Sequence, residues 1–142
     1  MLVAINEESG DKCSRAVGNK SLENKSMAAW LVKDMSEELT VWGHAGGTGC
    51  KIILKCDGEK AMIAFMNALG RYHGGTIVSD QSAKGEPQSN GKAEDAGKLV
   101  REYIRVLKEQ LQDEATIKIQ CNESITQWMI RWAAKLRSRY LV

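Results

Sequence analysis

Short apolar runs alternate along this chain with longer segments in which apolar residues recur at every third or fourth position. The runs with the length of strands lie at residues 1–5, 12–17, 51–56 and 75–79. The helical spacing covers residues 27–42, a segment ending near residue 70, residues 91–112 and residues 124–142. The order β-β-α-β-α-β-α-α predicts an α/β protein in which helices pack around one sheet.

The local signals at the element ends add detail to this prediction. Residues 1–17 are predicted to form a β-hairpin whose turn contains Gly10, a residue that tolerates positive φ. Ser26 is the predicted N-cap of the first helix. The polar residues 80–90 are predicted to form a loop before the long third helix.

Composition sets limits on the class of protein. The length of 142 residues predicts one domain, residues 1–142. A net charge of +2 does not by itself indicate a nucleic-acid-binding protein, so such a function has to come from local patches. No apolar run approaches the roughly 18 residues of a membrane span, and the start lacks the pattern of a secretory signal. We therefore expect no membrane partner.

The cysteines favour a reducing environment. The four cysteines form no CxxC pair, which predicts free thiols in an intracellular compartment. A zinc site built from His44, Cys50 and Cys56 is the alternative, but the spacing of these residues matches no common zinc module. The free-thiol interpretation is therefore favoured.

Two carboxylates stand where α/β proteins often build sites. Asp57 directly follows the strand-like run Lys51–Cys56, and strand C-terminal edges are where such sites gather. Glu94 lies in the first turn of the third helix. A structural interpretation is adequate for each residue, because Asp57 can cap a helix and Glu94 interacts favourably with the helix dipole. The functional interpretation is a pair of metal ligands.

Three basic residues follow on the same predicted helix: Lys98, Arg101 and Arg105. At about 100° per residue, these side chains fall within about 40° of Glu94, and the apolar stripe lies roughly 80–140° away. One interpretation is a solvated face with ordinary charge pairing. The other is a metal ligand followed by a phosphate-binding track, because Mg²⁺ is commonly held by a few carboxylates together with substrate phosphates.

Three segments together resemble the integrase core domain of retrotransposon and retrovirus-like polyproteins: ILKCDGEKAMIAF, KGEPQSNGKAEDAGKLVREYIRVLK and WMIRWAAKLRSRY. The hairpin LVAINEESGDKCSRAV resembles the second and third strands of that family. The likeness covers almost the whole chain, and SNG-x-x-E before a basic helix is its most specific part. It implies a DDE polynucleotidyl transferase with an RNase H-like fold, in which helices lie on both faces of a mixed sheet.

The resemblance gives both carboxylates a catalytic, metal-binding role. Asp57 matches the second catalytic aspartate of the family and Glu94 matches its closing glutamate, with thirty-six residues between them. In an intact family member these carboxylates hold two Mg²⁺ ions. The ions activate a water or a DNA 3′-hydroxyl and stabilise the leaving oxygen.

DNA is the partner that the resemblance implies. The residues expected to contact it are Gln88, Asn90, Lys98, Arg101 and Arg105. The first two, with Ser89 between them, match the polar segment before the glutamate and are expected to hydrogen-bond DNA from a loop. The three bases are expected to neutralise phosphates.

The chain departs from the family at its start. The first catalytic aspartate of such cores lies on a strand before the hairpin, whereas the hairpin here begins at Met1. Glu7, Glu8 and Asp11 lie in or beside the turn and do not match that position. We therefore expect a truncated core that lacks the first, central strand and binds at most one Mg²⁺ ion weakly. The hairpin then either pairs with Lys51–Cys56 or leaves an empty slot in the sheet.

Several functions remain open at this point. One is an integrase core for DNA integration that is catalytically incomplete alone; another is a non-catalytic nucleic-acid-binding remnant of a retroelement polyprotein. A weaker alternative is an unrelated α/β protein that binds a metal phosphate. A second copy or other parts of a Pol-like polyprotein are further expected partners, and a eukaryotic retroelement would place the chain in the nucleus. Trp128 and Trp132 are expected in the core, with a dimer face as the alternative.

The absent first aspartate leads to a prediction. The purified chain, incubated with a labelled DNA end, a duplex target and Mg²⁺, should join no strands, because the two-ion mechanism lacks one of its carboxylates. Asp57→Asn serves as the control and should behave like the unmodified chain. Metal-dependent joining that disappears in Asp57→Asn would contradict the prediction.

Overall fold

The computed structural model describes residues 1–18, 25–56, 58–81 and 91–140. In chain order the elements are β1 (Leu2–Ile5), β2 (Lys12–Arg15), α1 (Lys25–Val41), β3 (Lys51–Cys56), α2 (Lys60–His73), β4 (Thr76–Gln81), α3 (Gly91–Ala115) and α4 (Ser124–Tyr140). The predicted element order and the mixed α/β class are confirmed. The chain divides into two compact units: the terminal unit, Met1–Gly18 with Gly91–Val142, and the central unit, Asn19–Asn90.

The terminal unit begins with the predicted antiparallel hairpin of β1 and β2, in which Ile5 lies opposite Lys12. The amide of Asn6 closes the turn by donating to the Asp11 carbonyl at 2.8 Å. Gly10 takes a φ of +76°, which glycine adopts without steric cost. The turn chemistry read from the sequence therefore produces the hairpin.

Helices α3 and α4 contact this hairpin and share one core cluster. Val100 of α3 and Ala133 and Ala134 of α4 are fully buried, each with 0% exposure. The small alanines allow the two helices to approach closely. α4 is also tied to β2, because the Lys12 amide donates to Ser138 Oγ at 2.9 Å.

The central unit is a β-α-β unit with one further helix. β3 and β4 pair in parallel, with Ile52 opposite Ile77, and α2 connects them. α1 packs against α2. The buried apolar residues of these two helices are Leu31, Val32, Met35, Leu39, Phe65, Met66 and Leu69. The stripe predicted for the first helix is thus buried at Leu31, Met35 and Leu39.

The described strands differ from the predicted single sheet. They form two separate two-stranded sheets, one antiparallel (β1–β2) and one parallel (β3–β4). Each described strand pairs inside its own unit, β1 with β2 and β3 with β4, and the RNase H-like arrangement of one larger sheet stays a prediction. The hairpin finds its packing partners in α3 and α4 instead.

Several predicted boundaries shift by a few residues. α1 begins at Lys25, so Ser26 lies inside the helix and is not its N-cap. α2 continues past Gly70 and ends at His73, followed by the C-cap Gly74, which has a left-handed φ of 74°. Gly70 lies inside the helix, where α2 packs on β4 and a Cβ would make an ordinary van der Waals contact with Ile77 at 3.4 Å.

The predicted loop at residues 80–90 is shorter at its start. Residues 80 and 81 belong to β4, whose parallel pairing with β3 continues to its last residue. Residues 82–90 lie outside the described part of the chain. α3 begins at Gly91 as predicted and ends at Ala115, slightly later than predicted.

The last helix overturns one core prediction. Trp128 is 49% exposed, whereas the adjacent Met129 has 0% exposure. The two side chains point about 100° apart on the helix, and only the Met129 side meets the core. The prediction of a core role is therefore wrong for Trp128, while Trp132 is half-buried.

A glycine-rich loop after α1 packs closely on the end of α2. Gly46 has a φ of 75°, and a Cβ on it would collide with the carbonyl oxygen of His73. Gly47 has a φ of 88°, yet its Cβ position meets nothing within 4 Å. Gly46 is therefore favoured both by its positive φ and by the lack of space for a Cβ. Gly47 is favoured by its positive φ alone.

Gly46→Ala should destabilise the chain more than the matched control Gly47→Ala. Both variants acquire left-handed backbone strain of roughly 1–2 kcal/mol. Only Gly46→Ala adds the collision, and we expect a further loss of at least about 1 kcal/mol. Urea unfolding followed by circular dichroism measures both free energies, and equal losses would refute the close packing of this loop.

Candidate nucleic-acid interface

The outer face of α3 carries the charged residues that are predicted to bind metal and phosphate. The three bases, Lys98, Arg101 and Arg105, are exposed, and so is Glu94 one turn before them. Ala96 and other residues of the opposite side are buried against the hairpin and α4. The helical-wheel prediction for this face is confirmed. We call the three bases the basic stripe.

An open cavity of about 340 Å³ lies between β1 and the first half of α3. Its lining residues are Met1, Val3, Ala93, Glu94, Gly97, Lys98 and Arg101. Gly97 has no side chain to fill this space, and Arg101 occupies the room above it, with Nη1 3.6 Å from the position of a Cβ on Gly97. The glycine thus lets the Arg101 side chain lie along the helix at the edge of the cavity.

Two ion pairs involve the first turns of α3. Lys98 Nζ lies 3.4 Å from Asp95 Oδ1, and both side chains are largely exposed. Lys92 Nζ lies 3.5 Å from Glu7 Oε2 in the hairpin turn. Exposed pairs of this kind contribute about 0–1 kcal/mol, so Lys98 can exchange Asp95 for another anion at little cost.

The two arginines of the basic stripe have no such partner among the described residues. No carboxylate in that part of the chain lies within ion-pair distance of Arg101 or Arg105. Guanidinium groups carry their charge at any physiological pH and present several N–H donors in one plane. As far as the described residues show, the two guanidinium groups, one turn apart, are therefore available to an anionic ligand.

Only one of the two predicted magnesium ligands belongs to the described residues. The described residues contain no group of three His, Cys, Asp or Glu side chains that could hold a metal ion. Glu94 is the only described carboxylate in the cavity wall, where Lys98 and Arg101 also lie. Asp57, its expected partner, lies outside the described residues. The magnesium site therefore stays a prediction.

The remaining predicted site residues have separate outcomes. Gln88, Ser89 and Asn90 fall outside the described ranges. The alternative zinc ligands, His44, Cys50 and Cys56, belong to no metal-binding group among the described residues, and none of the four cysteines forms a disulfide there. No helix within the described ranges is long and apolar enough to cross a membrane.

Comparison with protein-family models, with curated proteins and with solved structures found no match to this chain. The likeness to integrase cores therefore depends on the quoted sequence segments alone. The structural evidence that bears on function is the exposed charged face of α3.

Sequence reasoning missed two contributors to this interface. Gly97 was not selected, although a glycine inside a strongly periodic helix is itself a signal of close packing or of a site. Val3 was assigned to a strand, but its place in the cavity wall depends on how the hairpin meets α3. That contact joins residues far apart in the chain, and local spacing does not encode it.

Proposed function

We propose that this chain binds DNA through the basic stripe of α3, as an integrase-core-like module. The observation that carries the proposal is the row of exposed side chains of Lys98, Arg101 and Arg105 on one helix face. DNA presents a regular row of phosphates, and a row of cations binds it by releasing condensed counterions.

The dimensions of the basic stripe suit a phosphate backbone. At about 1.5 Å per residue, Lys98 and Arg105 stand about 10 Å apart along the helix axis. One strand of a duplex places a phosphate at about every 3.4 Å of its axis, so the stripe covers about three phosphates. Because guanidinium groups can bind phosphate oxygens in a bidentate manner, the arginines orient the backbone as well as attract it.

Gln88 and Asn90 belong to the same proposal through the integrase resemblance. They precede α3 directly in the chain. Amide side chains add hydrogen bonds to sugar, phosphate or base edges, and these bonds position the protein on the DNA. Because the amides are uncharged, they neutralise no phosphate. Their removal should therefore weaken binding without changing its dependence on salt.

The resemblance also assigns Mg²⁺ ligation to Asp57 and Glu94 within an RNase H-like core. Mg²⁺ would supply activation of a hydroxyl nucleophile and stabilisation of the leaving oxygen. Of these two ligands, only Glu94 belongs to the described residues. The catalytic part of the proposal therefore depends on Asp57.

A non-catalytic DNA-binding function is the second candidate, and the cavity beside α3 favours it. Among the described residues its wall carries one carboxylate, Glu94, and two cations, Lys98 and Arg101. A wall with this excess of positive charge attracts a phosphate and disfavours a divalent cation. Both candidates share DNA binding by the basic stripe.

Changing Lys98, Arg101 and Arg105 together to alanine should weaken duplex binding equally for unrelated sequences. The slope of log K against log salt should fall by about one for each phosphate that the protein no longer neutralises, up to about three. Fluorescence anisotropy with two labelled duplexes of different sequence, at several salt concentrations, measures both effects.

The matched control for this triple variant removes three exposed bases of the central unit: Lys33, Lys60 and Arg71. It lowers the net charge by the same amount but leaves the basic stripe intact. Its salt slope should stay close to that of the unmodified chain. Equal slopes for the two triple variants would show that net charge, not the stripe, attracts DNA.

Glu94→Gln separates the two candidate functions. In EDTA the variant should bind duplex DNA up to about fivefold more tightly, because a carboxylate beside the stripe repels phosphate. If Glu94 and Asp57 ligate Mg²⁺ together with a DNA phosphate, adding Mg²⁺ should increase the affinity of the unmodified chain for DNA. The affinities of Glu94→Gln and Asp57→Asn should not increase. An identical response of all three proteins would exclude the metal assignment.

A further inference from the structure

The last helix carries a surface feature for which binding by α3 does not account. The indole rings of Trp128 and Trp132 stack, with ring centroids 5.8 Å apart and planes inclined by 14°. Trp128 is 49% exposed, so much of the stacked pair is open to solvent. Contiguous exposed apolar surface commonly marks a binding site, whereas a single exposed apolar residue does not.

Two cations continue the line of the tryptophans along α4. At about 100° per residue, Trp132, Lys135 and Arg139 all fall within about 40° of Trp128. Met129, about 100° away from Trp128 on the helix, has 0% exposure and marks the side that meets the core. We call the four aligned residues the α4 stripe: Trp128, Trp132, Lys135 and Arg139.

The charge of α4 selects an anionic partner. Across Ser124–Tyr140 the sequence contains four Lys or Arg and no Asp or Glu. In the part of the chain that the structure describes, no carboxylate lies within ion-pair distance of Lys135 or Arg139. A second copy of this chain, docked on the same face by two-fold symmetry, would bring like charges together. Charge therefore disfavours self-association through the α4 stripe.

An anionic lipid surface has the right charge but fits the helix poorly. A helix that lies in a membrane interface inserts a continuous apolar face into the headgroup region. The apolar side of α4 is already used by the core, where Met129, Ala133 and Ala134 are fully buried. What α4 offers to solvent is a flat aromatic pair with cations in line, and aromatic rings combined with a cationic track are the features that bind unpaired bases and their phosphates.

We propose that the α4 stripe binds single-stranded nucleic acid. An unpaired base stacks on the exposed indole of Trp128, and any base can do so because each has a flat π-face. Lys135 and Arg139, on the following turns, contact phosphates of the neighbouring nucleotides. A duplex keeps its bases stacked inside, so the tryptophans gain nothing from it. The inference uses a different surface from the basic stripe and does not depend on duplex binding by α3.

The test titrates the full chain into a labelled oligothymidine of about 12 nucleotides, within the site sizes of single-strand-binding folds. Trp128→Leu should weaken binding about tenfold, because leucine keeps an apolar side chain but cannot stack. Trp128→Phe retains a ring and should lose less affinity. The pair Lys135→Ala and Arg139→Ala should lower the salt slope by about 1.4, the value for two phosphate contacts on a single strand.

Trp30 on α1 offers a matched control, because it is 50% exposed and lies in the central unit. Trp30→Leu should leave binding of the oligothymidine unchanged. Trp128→Leu should leave duplex binding unchanged, so that failure of this proposal and failure of duplex binding by α3 appear with different ligands. If Trp128→Leu loses its helical circular dichroism, the Trp128→Phe variant and the double alanine variant decide the outcome instead.

Unchanged oligothymidine affinity in folded Trp128→Leu overturns the proposal. Two results in which the α4 stripe binds a different partner would also overturn it. One such result is a dimer that Trp128→Leu converts to a monomer in analytical ultracentrifugation, with the oligothymidine affinity unaltered. The other is a requirement of Trp128 for binding vesicles that contain phosphatidylserine but not for binding the oligothymidine.

Discussion

The contact between α3 and α4 determines which surfaces the terminal unit offers. Val100 meets Ala133 and Ala134 there, and all three are fully buried. On α4, Met129, Ala133 and Ala134 mark the buried side, and Trp128 and Arg139 are exposed. Helix α3 likewise turns its charged face outward. With this contact buried, Glu94 and the basic stripe on α3, and Trp128 and Arg139 on α4, lie on the exposed sides of the two helices. A single helix contact therefore supports both proposed binding surfaces.

The two helices use the same spacing for different chemistry. Each places side chains at positions i, i+4, i+7 and i+11 of one face, and each ends in cations. On α3 the first residue is a carboxylate, which can ligate a metal ion and which repels phosphates when no metal ion is bound. On α4 the first two residues are stacked indoles, which suit a base without its partner. A DNA end with an unpaired strand would present a ligand for each helix.

Sequence patterns predicted the elements because local interactions determine them. The hairpin turn and the outward face of α3 follow from residues that are close in the chain. The arrangement of strands does not, since pairing joins distant segments, and the expected single sheet is replaced by two pairs in the described strands. Periodicity also placed Trp128 and Met129 in one broad apolar stripe without showing which edge meets the core. Asp57, Gln88 and Asn90 lie outside the described residues, so the catalytic half of the site stays a prediction.

The distribution of charge explains how a nearly neutral chain can offer cationic surfaces. The terminal unit has 12 Lys or Arg against 10 Asp or Glu, and the central unit has eight of each, so the whole excess of +2 belongs to the terminal unit. So small an excess attracts a polyanion weakly, because interactions beyond about 8 Å are screened at physiological salt. Attraction then depends on cations that lie in line, away from carboxylates. Helix α4 meets this condition by containing no acid at all. Helix α3 meets it because, within the described residues, its acids lie beyond ion-pair distance of Arg101 and Arg105.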